Sequence, residues 1–142
     1  MKRSSKTVLI AAVCLLFALI LLAFSIVPIA NYVKLNNFER EISNIELPVG
    51  FEKVAIKGAI GDSGGNGDYS TLRVVMLIKT EFPEEELEER LGYYGIKKCE
   101  SNIFESGNNV RINFKELDGI DSYDGYYFIE FISSAFNLWD KL

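Results

Sequence analysis

The longest hydrophobic segment of the chain lies close to its N-terminus. From Val8 to Ala30 there is no charged side chain. At about 1.5 Å per residue this segment forms a helix of roughly 35 Å, enough to cross a hydrocarbon core of about 30 Å. In lipid a helix satisfies every backbone hydrogen bond within the segment itself. The pattern predicts a transmembrane helix over residues 8–30 after a short tail of residues 1–7.

Positive charge lies on one side of this segment. Lys2, Arg3 and Lys6 precede it without any acidic residue, and the next cation, Lys34, comes after its end. The positive-inside rule counts such nearby cations and places the N-terminus in the cytoplasm. We therefore expect residues 31–142 to lie outside the cytoplasm, on a cell membrane.

A cleaved signal peptide is the alternative interpretation of the same segment. The sequence Ala23-Phe24-Ser25 has the small residues that a cleavage site needs. The hydrophobic part of a signal peptide typically spans about 7–15 residues, and this segment is longer. Its length favours a retained anchor.

Helical spacing continues beyond the hydrophobic segment. Apolar residues recur at i, i+3, i+7 and i+10, which predicts a juxtamembrane stalk helix over residues 31–46 that ends before Pro48. The apolar stripe lies against the domain of the same chain, or pairs two chains in a short coiled coil. A coiled coil is typically indicated by three or four heptads, and here there are fewer than two. The stripe consists of Leu35, Phe38, Ile42 and Ile45.

Two segments after the stalk alternate with the period of a β-strand. The alternation over residues 51–60 predicts a half-buried strand with Val54, Ile56 and Ile60 on one face. Residues 71–79 are apolar on both faces for part of their length, which indicates a central strand. The opposite face of the first strand would carry Lys53, Lys57 and Ala59.

One helix is predicted within the domain, from Glu81 to Tyr94. Its apolar stripe is Leu87, Leu91 and Tyr94, and Gly95 is suited to end it. Glutamates near its start complement the helix dipole.

The remaining segments complete an antiparallel sheet. Alternation predicts strands at residues 110–114 and 125–132, and residues 96–104 are compatible with a short strand. The sequence thus predicts an α+β domain over residues 47–142, in two layers, with an antiparallel sheet of about four or five strands and one helix.

Composition excludes several classes of function. The formal net charge of −5 argues against nucleic-acid binding, which needs clustered Lys and Arg. The chain has no His, which removes Ser-His-Asp and Cys-His catalysis and His-ligated zinc. We therefore expect that the protein is not an enzyme and binds no cofactor. Cys14 lies in the hydrophobic segment, so Cys99 has no disulfide partner and is expected to be a small buried side chain.

A glycine-rich loop, residues 61–69, separates the first two predicted strands. We interpret it as a structural connection, because glycine readily adopts positive φ. The alternative is a calcium site formed by Asp62, Asn66 and Asp68. Against that alternative, Arg73 stands where a calcium loop would place a bidentate Glu.

Two further groups of side chains are candidate sites. Asp118, Asp121 and Asp124 are typical of a solvated turn, although paired carboxylates also serve in glycoside hydrolysis. Aromatic residues near the C-terminus are expected mostly in the core. If they share an exposed face, they would form a partner surface from Tyr126, Phe128 and Trp139.

The order of several short motifs resembles a group of bacterial proteins. A Leu47-Pro48-Val49-Gly50 turn precedes a Gly65-Asn66-Gly67 loop, then a strand ending in Leu77-Ile78-Lys79 and an acidic helix with Glu85-Glu86-Leu87. This order resembles small N-terminally membrane-anchored proteins of Firmicutes. The resemblance covers about a third of the chain and implies a bacterial envelope location, without indicating an activity.

These observations favour a single-pass membrane-anchored envelope protein whose outer domain is a binding or structural module. The alternatives are a sensor-like module that binds a small ligand or calcium and, third, a cell-wall hydrolase. The expected partners are the lipid bilayer and a protein that the sequence does not identify. A dimer through the stalk stripe is the less favoured arrangement.

Overall fold

The computed structural model describes residues 5–62, 70–92, 95–106 and 110–134. It contains two α-helices, six β-strands and a 3-10 turn at Lys115–Leu117. The helices are α1 (Ser5–Ser43) and α2 (Glu84–Leu91). The strands are β1 (Phe51–Asp62), β2 (Ser70–Thr80), β3 (Ile96–Lys98), β4 (Ile103–Ser106), β5 (Val110–Asn113) and β6 (Tyr126–Ser134).

The strands form two antiparallel sheets. Four of them form a sheet of order β1-β2-β6-β3, and β4 pairs with β5 in a separate hairpin. Strand β2 is central, as its sequence predicts, and every side chain from Leu72 to Ile78 is buried. The α+β fold with an antiparallel sheet is thereby confirmed. The β4–β5 hairpin adds a third layer that the sequence did not predict.

Helix α1 is continuous from the hydrophobic segment into the domain. Pro28 lies inside it, and no break separates the predicted membrane span from the predicted stalk. At about 1.5 Å per residue its 39 residues extend roughly 58 Å. Within the described part of the chain, this is the one helix long and apolar enough to cross a membrane.

The C-terminal part of α1 and helix α2 cover one face of the four-stranded sheet, called here the helix face. Leu35 and Ile42 are buried against it, and Phe38 and Ile45 pack at its border. The apolar stripe of the stalk therefore lies against its own domain. The buried residues that share this face are Leu35, Ile42, Leu72, Val74, Met76, Ile78, Leu87, Leu91, Tyr127 and Ile129.

The β4–β5 hairpin covers the other face of the sheet, called here the hairpin face. Phe128 lies at its centre, with ring centroids 5.4 Å from Phe104 and 5.1 Å from Phe114. The buried residues of this face are Val75, Leu77, Cys99, Phe104, Val110, Ile112, Phe114, Leu117 and Phe128.

Strand β1 departs from its predicted alternation. The register shifts between Lys53 and Ala55, so Val54 packs toward the hairpin face whereas Ile56 packs toward the helix face. A β-bulge inserts one extra residue and reverses the facing of the residues after it. The prediction that Val54 and Ile56 share a face is therefore wrong. For the same reason the two lysines of β1 point to opposite faces, Lys53 to α1 and Lys57 to the hairpin.

Helix α2 is shorter than predicted. It begins after Pro83 and ends at Gly92, whose φ of 65° is left-handed and whose N–H donates to the Glu88 carbonyl at 2.9 Å. Gly92, and not Gly95, closes the helix, because glycine adopts this conformation without a Cβ penalty. Leu87 and Leu91 are buried as predicted, and Tyr94 lies outside the described residues.

Candidate functional site

One end of the domain lies beside the hydrophobic part of α1. The helix runs antiparallel to β1: Lys53 Nζ donates to the carbonyls of Ser43 and Ile45 at 2.6 and 2.8 Å, near the start of the strand. Toward the end of the strand, a Cβ on Gly58 would contact Leu35. The last residues of β1 therefore lie nearest to the predicted membrane span.

A groove marks this junction between helix and sheet. Its volume is about 590 Å³, and its surface is mainly apolar. It opens where the hydrophobic segment ends, and Tyr32 on its rim is exposed. Its lining residues are Val27, Pro28, Ile29, Asn31, Tyr32 and Ile60.

A buried ion pair lies on the hairpin face near the same end of the sheet. The Arg73 side chain on β2 pairs with Glu130 on β6, and its Nη1 donates to Ser106 Oγ on β4 at 2.6 Å. Arg73 is only 6% exposed. Its Nε has no hydrogen-bond partner within the described part of the chain. The hydrogen bond to Ser106 connects this pair, which lies within the four-stranded sheet, to the β4–β5 hairpin. Sequence reasoning missed the pair because its members are 57 positions apart.

The predicted calcium ligands lie at the β1–β2 connection. The backbone of Asp62 ends β1 and pairs with Ser70. Asn66 and Asp68 lie outside the described residues, so calcium binding stays a prediction. Among the residues that the structure does describe, no group of three or more Cys, Asp or Glu side chains could hold a metal ion.

The predicted partner surface does not form as a set. Phe128 is 3% exposed and belongs to the core of the hairpin face, in line with the expectation that these aromatic residues lie mostly in the core, so the condition for a partner surface is not met at this residue. The reason is that β6 is a central strand, covered on both faces. Tyr126 is half-buried at the border of the same core, with Lys79 Nζ 5.3 Å from its ring centroid. Trp139 lies outside the described residues.

The three aspartates of the loop before β6 serve separate local contacts. Asp118 accepts a hydrogen bond from Asn102 Nδ2 at 2.7 Å. Asp124 accepts one from Ser122 Oγ at 2.9 Å and lies 3.7 Å from Lys98 Nζ. Asp121 is exposed. The contacts of Asp118 and Asp124 are those of side chains that order a polar loop.

Cys99 has the environment of a structural side chain. It is buried on the hairpin face, and its Sγ donates to the Ser101 carbonyl at 3.1 Å. Burial raises the pKa of the Cys99 thiol above its ordinary value, because the thiolate loses hydration. The prediction that Cys99 is a small buried side chain is confirmed.

In comparisons with protein-family models, curated proteins and solved structures, none matched this chain.

Proposed function

We propose that this chain is a single-pass membrane-anchored protein of a bacterial envelope, with a cytoplasmic N-terminus and an outer domain that acts as a binding or structural module. The observation that carries the proposal is the continuity of α1. One uninterrupted helix joins the hydrophobic segment to the core of the domain through Leu35 and Ile42.

The surface of the hydrophobic segment supports a lipid environment. Large apolar side chains are exposed all around this part of α1, and no other element that the structure describes covers them. An apolar surface of this extent is typical of membrane or partner contact. The side chains concerned are Val8, Leu9, Ile10, Val13, Leu15, Leu16, Phe17, Leu19, Ile20, Leu21, Leu22, Ile26 and Ile29.

Retention of the segment is favoured over cleavage. Cleavage after Ser25 would fall within a regular helix and leave exposed Ile26 and Ile29 attached to the domain. The orientation rests on Lys2, Arg3 and Lys6. A non-enzymatic role rests on the absence of His and of a nucleophile motif from the sequence.

Cysteine accessibility on intact cells tests the anchor and its orientation. In a Cys14→Ala background, Val49→Cys introduces a thiol at a position that is 97% exposed and far from the hydrophobic part of α1. A membrane-impermeant maleimide should label Val49→Cys on intact cells and should label the matched Ser4→Cys variant only after lysis. The reverse pattern would overturn the orientation.

Mass spectrometry of the membrane fraction tests retention. The chain recovered there should still contain residues 8–30. A mature chain beginning at Ile26 and recovered from the medium would overturn the anchor.

A further inference from the structure

Few large apolar side chains are exposed on the domain apart from α1. Among the described residues after α1, these are Val49, Ile60 and Ile132. Ile60 is 43% exposed and Ile132 is 56% exposed. Val49 lies in the turn before β1, whereas the two isoleucines lie close to the last residues of β1 and β6. Two of these three described side chains, Ile60 and Ile132, thus lie at one end of the sheet.

The sheet register brings these two isoleucines together. Ile60 pairs with Leu72 on β2, and Ile132 pairs with Arg73, the next residue along the same strand. Directly paired side chains share a face, so Ile60 lies on the helix face and Ile132 on the hairpin face. One apolar side chain therefore extends from each face at the same end of the sheet.

This end of the sheet lies at the level where the hydrophobic segment ends. Ile60 shares a groove with Val27, Pro28 and Ile29. About 20 helical residues cross the hydrocarbon core, so in a span that begins at Val8 the turn after Val27 lies at its boundary. Ile60 then lies at the same depth as the lipid headgroups.

From this arrangement we propose that the end of the domain carrying Ile60 and Ile132 docks on the bilayer surface, with both side chains in the interfacial layer. The proposal rests on the membrane anchor proposed above. Lipid is the occupant because the apolar surface is continuous from the lipid-facing side of α1 through the groove to Ile60. Exposed Tyr32 on the rim suits the headgroup level, where aromatic rings concentrate.

The helix holds the domain in this position. Because α1 continues without a break and packs on the sheet through Leu35 and Ile42, the domain is connected to the hydrophobic segment by a helix and not by a flexible linker. The opposite end, with Val49, is then directed away from the membrane. From Ile60 back to Phe51 the strand extends about 30 Å, which separates the two ends well for a depth measurement.

Depth-dependent quenching on the full chain in phosphatidylcholine–phosphatidylglycerol vesicles tests the docking. In a Cys14→Ala background, Ile60→Cys and Ile132→Cys each receive an environment-sensitive fluorophore, and Val49→Cys is the matched control. Cys99 stays in place because it is buried. A fourth sample carries the fluorophore on the native Cys14. Quenchers are iodide in the buffer and nitroxides placed shallow or deep on the lipid chains.

The docked domain predicts loss of emission with shallow nitroxide lipid at positions 60 and 132, weak quenching there by iodide, and the opposite pattern at position 49. If positions 60 and 132 behave like position 49 while deep nitroxide quenches the Cys14 label, the docking is wrong and the anchor stands. Shielding from iodide without quenching by nitroxide lipid would mean a protein contact, such as a second copy, and would also overturn the docking. If deep nitroxide leaves the Cys14 label bright, the anchor itself fails.

Discussion

The two faces of the central sheet are both buried, but their cores differ in chemistry. On the helix face, α1 and α2 cover an apolar cluster, and the described buried polar side chains on that side, Asn31 and Thr80, are uncharged. On the hairpin face, a core built around the rings of Phe104, Phe114 and Phe128 adjoins the buried pair of Arg73 and Glu130. The helix face depends on apolar area contributed by separate helices. The hairpin face depends in addition on a polar contact that must be complete to be tolerated.

Because of this difference, substitutions on the two faces should lower the stability of the domain in different ways. Apolar burial is roughly proportional to area, so losses on the helix face scale with the side chains removed. A buried charge is tolerated only with its partner. Removing one charged group from the hairpin face should therefore lower the free energy of unfolding by more than the lost apolar area alone would. The variants below separate the loss of apolar area from the loss of a charged partner. They are ordered from the largest expected loss of stability to the smallest.

Removing the stalk part of α1 should have the largest effect. Fragment 47–142 lacks Leu35 and Ile42, and each fully buried aliphatic side chain contributes about 1.5–3 kcal/mol. Domains are stable by only about 5–15 kcal/mol, so the loss is a large share of the total. We expect fragment 31–142 to melt cooperatively and fragment 47–142 to lack a cooperative transition in calorimetry.

The matched control for the first prediction is Asn36→Ala in fragment 31–142, since Asn36 is exposed on the same helix. It should leave the transition in place. Equal melting of fragments 31–142 and 47–142 would show that α1 does not stabilise the helix face.

Breaking the buried ion pair comes next. Glu130→Gln leaves the Arg73 guanidinium without its counter-charge, and loss of one partner of a buried pair costs about 3–5 kcal/mol. Urea unfolding of the full chain in detergent micelles measures the loss. Glu105→Gln is the control, because its pair with Arg111 is exposed and contributes less than about 1 kcal/mol.

The double variant Arg73→Met with Glu130→Leu separates charge from packing. An apolar replacement of both partners is often neutral or stabilising. We therefore expect it to recover most of the stability lost in Glu130→Gln. A double variant as unstable as Glu130→Gln would contradict uncompensated charge as the cause of the loss.

A single apolar truncation on the helix face should be more moderate. Leu87 is fully buried on α2, and Leu→Ala in a core costs about 2–5 kcal/mol. Glu88→Ala on the same helix is exposed and should change the free energy of unfolding by less than about 0.5 kcal/mol. Similar urea midpoints for the two variants would contradict the packing of α2 on the sheet.

The helix face was the more predictable of the two from the sequence. Its contributors repeat with the helix period at Leu35 and Ile42 and at Leu87 and Leu91, and β2 is apolar on both faces. Such local periodicity is what a sequence shows directly. Helical structure through Pro28 and on to the stalk was also predicted, although as two adjacent helices and not as the single helix α1.

The hairpin face depends on non-local pairing, which local patterns do not show. The alternation of residues 110–114 predicted β5, but nothing in it indicates a separate sheet packed on the first. The bulge at Val54 is a local backbone irregularity without a Gly or Pro signal. The burial of Phe128 follows from the central place of β6, and the pairing of Arg73 with Glu130 follows from the β2–β6 register. The sequence indicated a core position for most of the aromatic residues near the C-terminus, whereas the ion pair became visible only once the strand order was known.

The smallest expected effect lies at the exposed border of the hairpin face. Lys57 Nζ donates to Glu116 Oε2 at 2.7 Å, linking β1 to the 3-10 turn, and its ammonium lies 5.0 Å from the Phe114 ring centroid. The hydrogen bond from Lys57 first, and the Glu116 backbone second, lower the pKa of the Glu116 carboxyl below its ordinary value of 4.5. The stabilisation is therefore complete above pH 4.5 and is lost as the pH falls through the lower folded-state pKa.

Glu116→Gln should reduce the loss of stability that the wild type shows at acidic pH. At pH 7 it should change the free energy of unfolding little, because the carboxylate is partly exposed and such pairs contribute below about 1 kcal/mol. Urea midpoints of the full chain between pH 3 and pH 7 measure both effects, with Glu105→Gln as the control at an exposed pair. Because solvent screens Lys57 and Glu116, their pair should respond to salt, whereas the buried Arg73–Glu130 pair should not. About 0.5 M NaCl should abolish the difference between wild type and Glu116→Gln in how the urea midpoint depends on pH. The same salt should leave the stability loss of Glu130→Gln unchanged. This outcome would distinguish the exposed border of the hairpin face from its interior. An equal salt response at both positions would mean that the interior pair is hydrated.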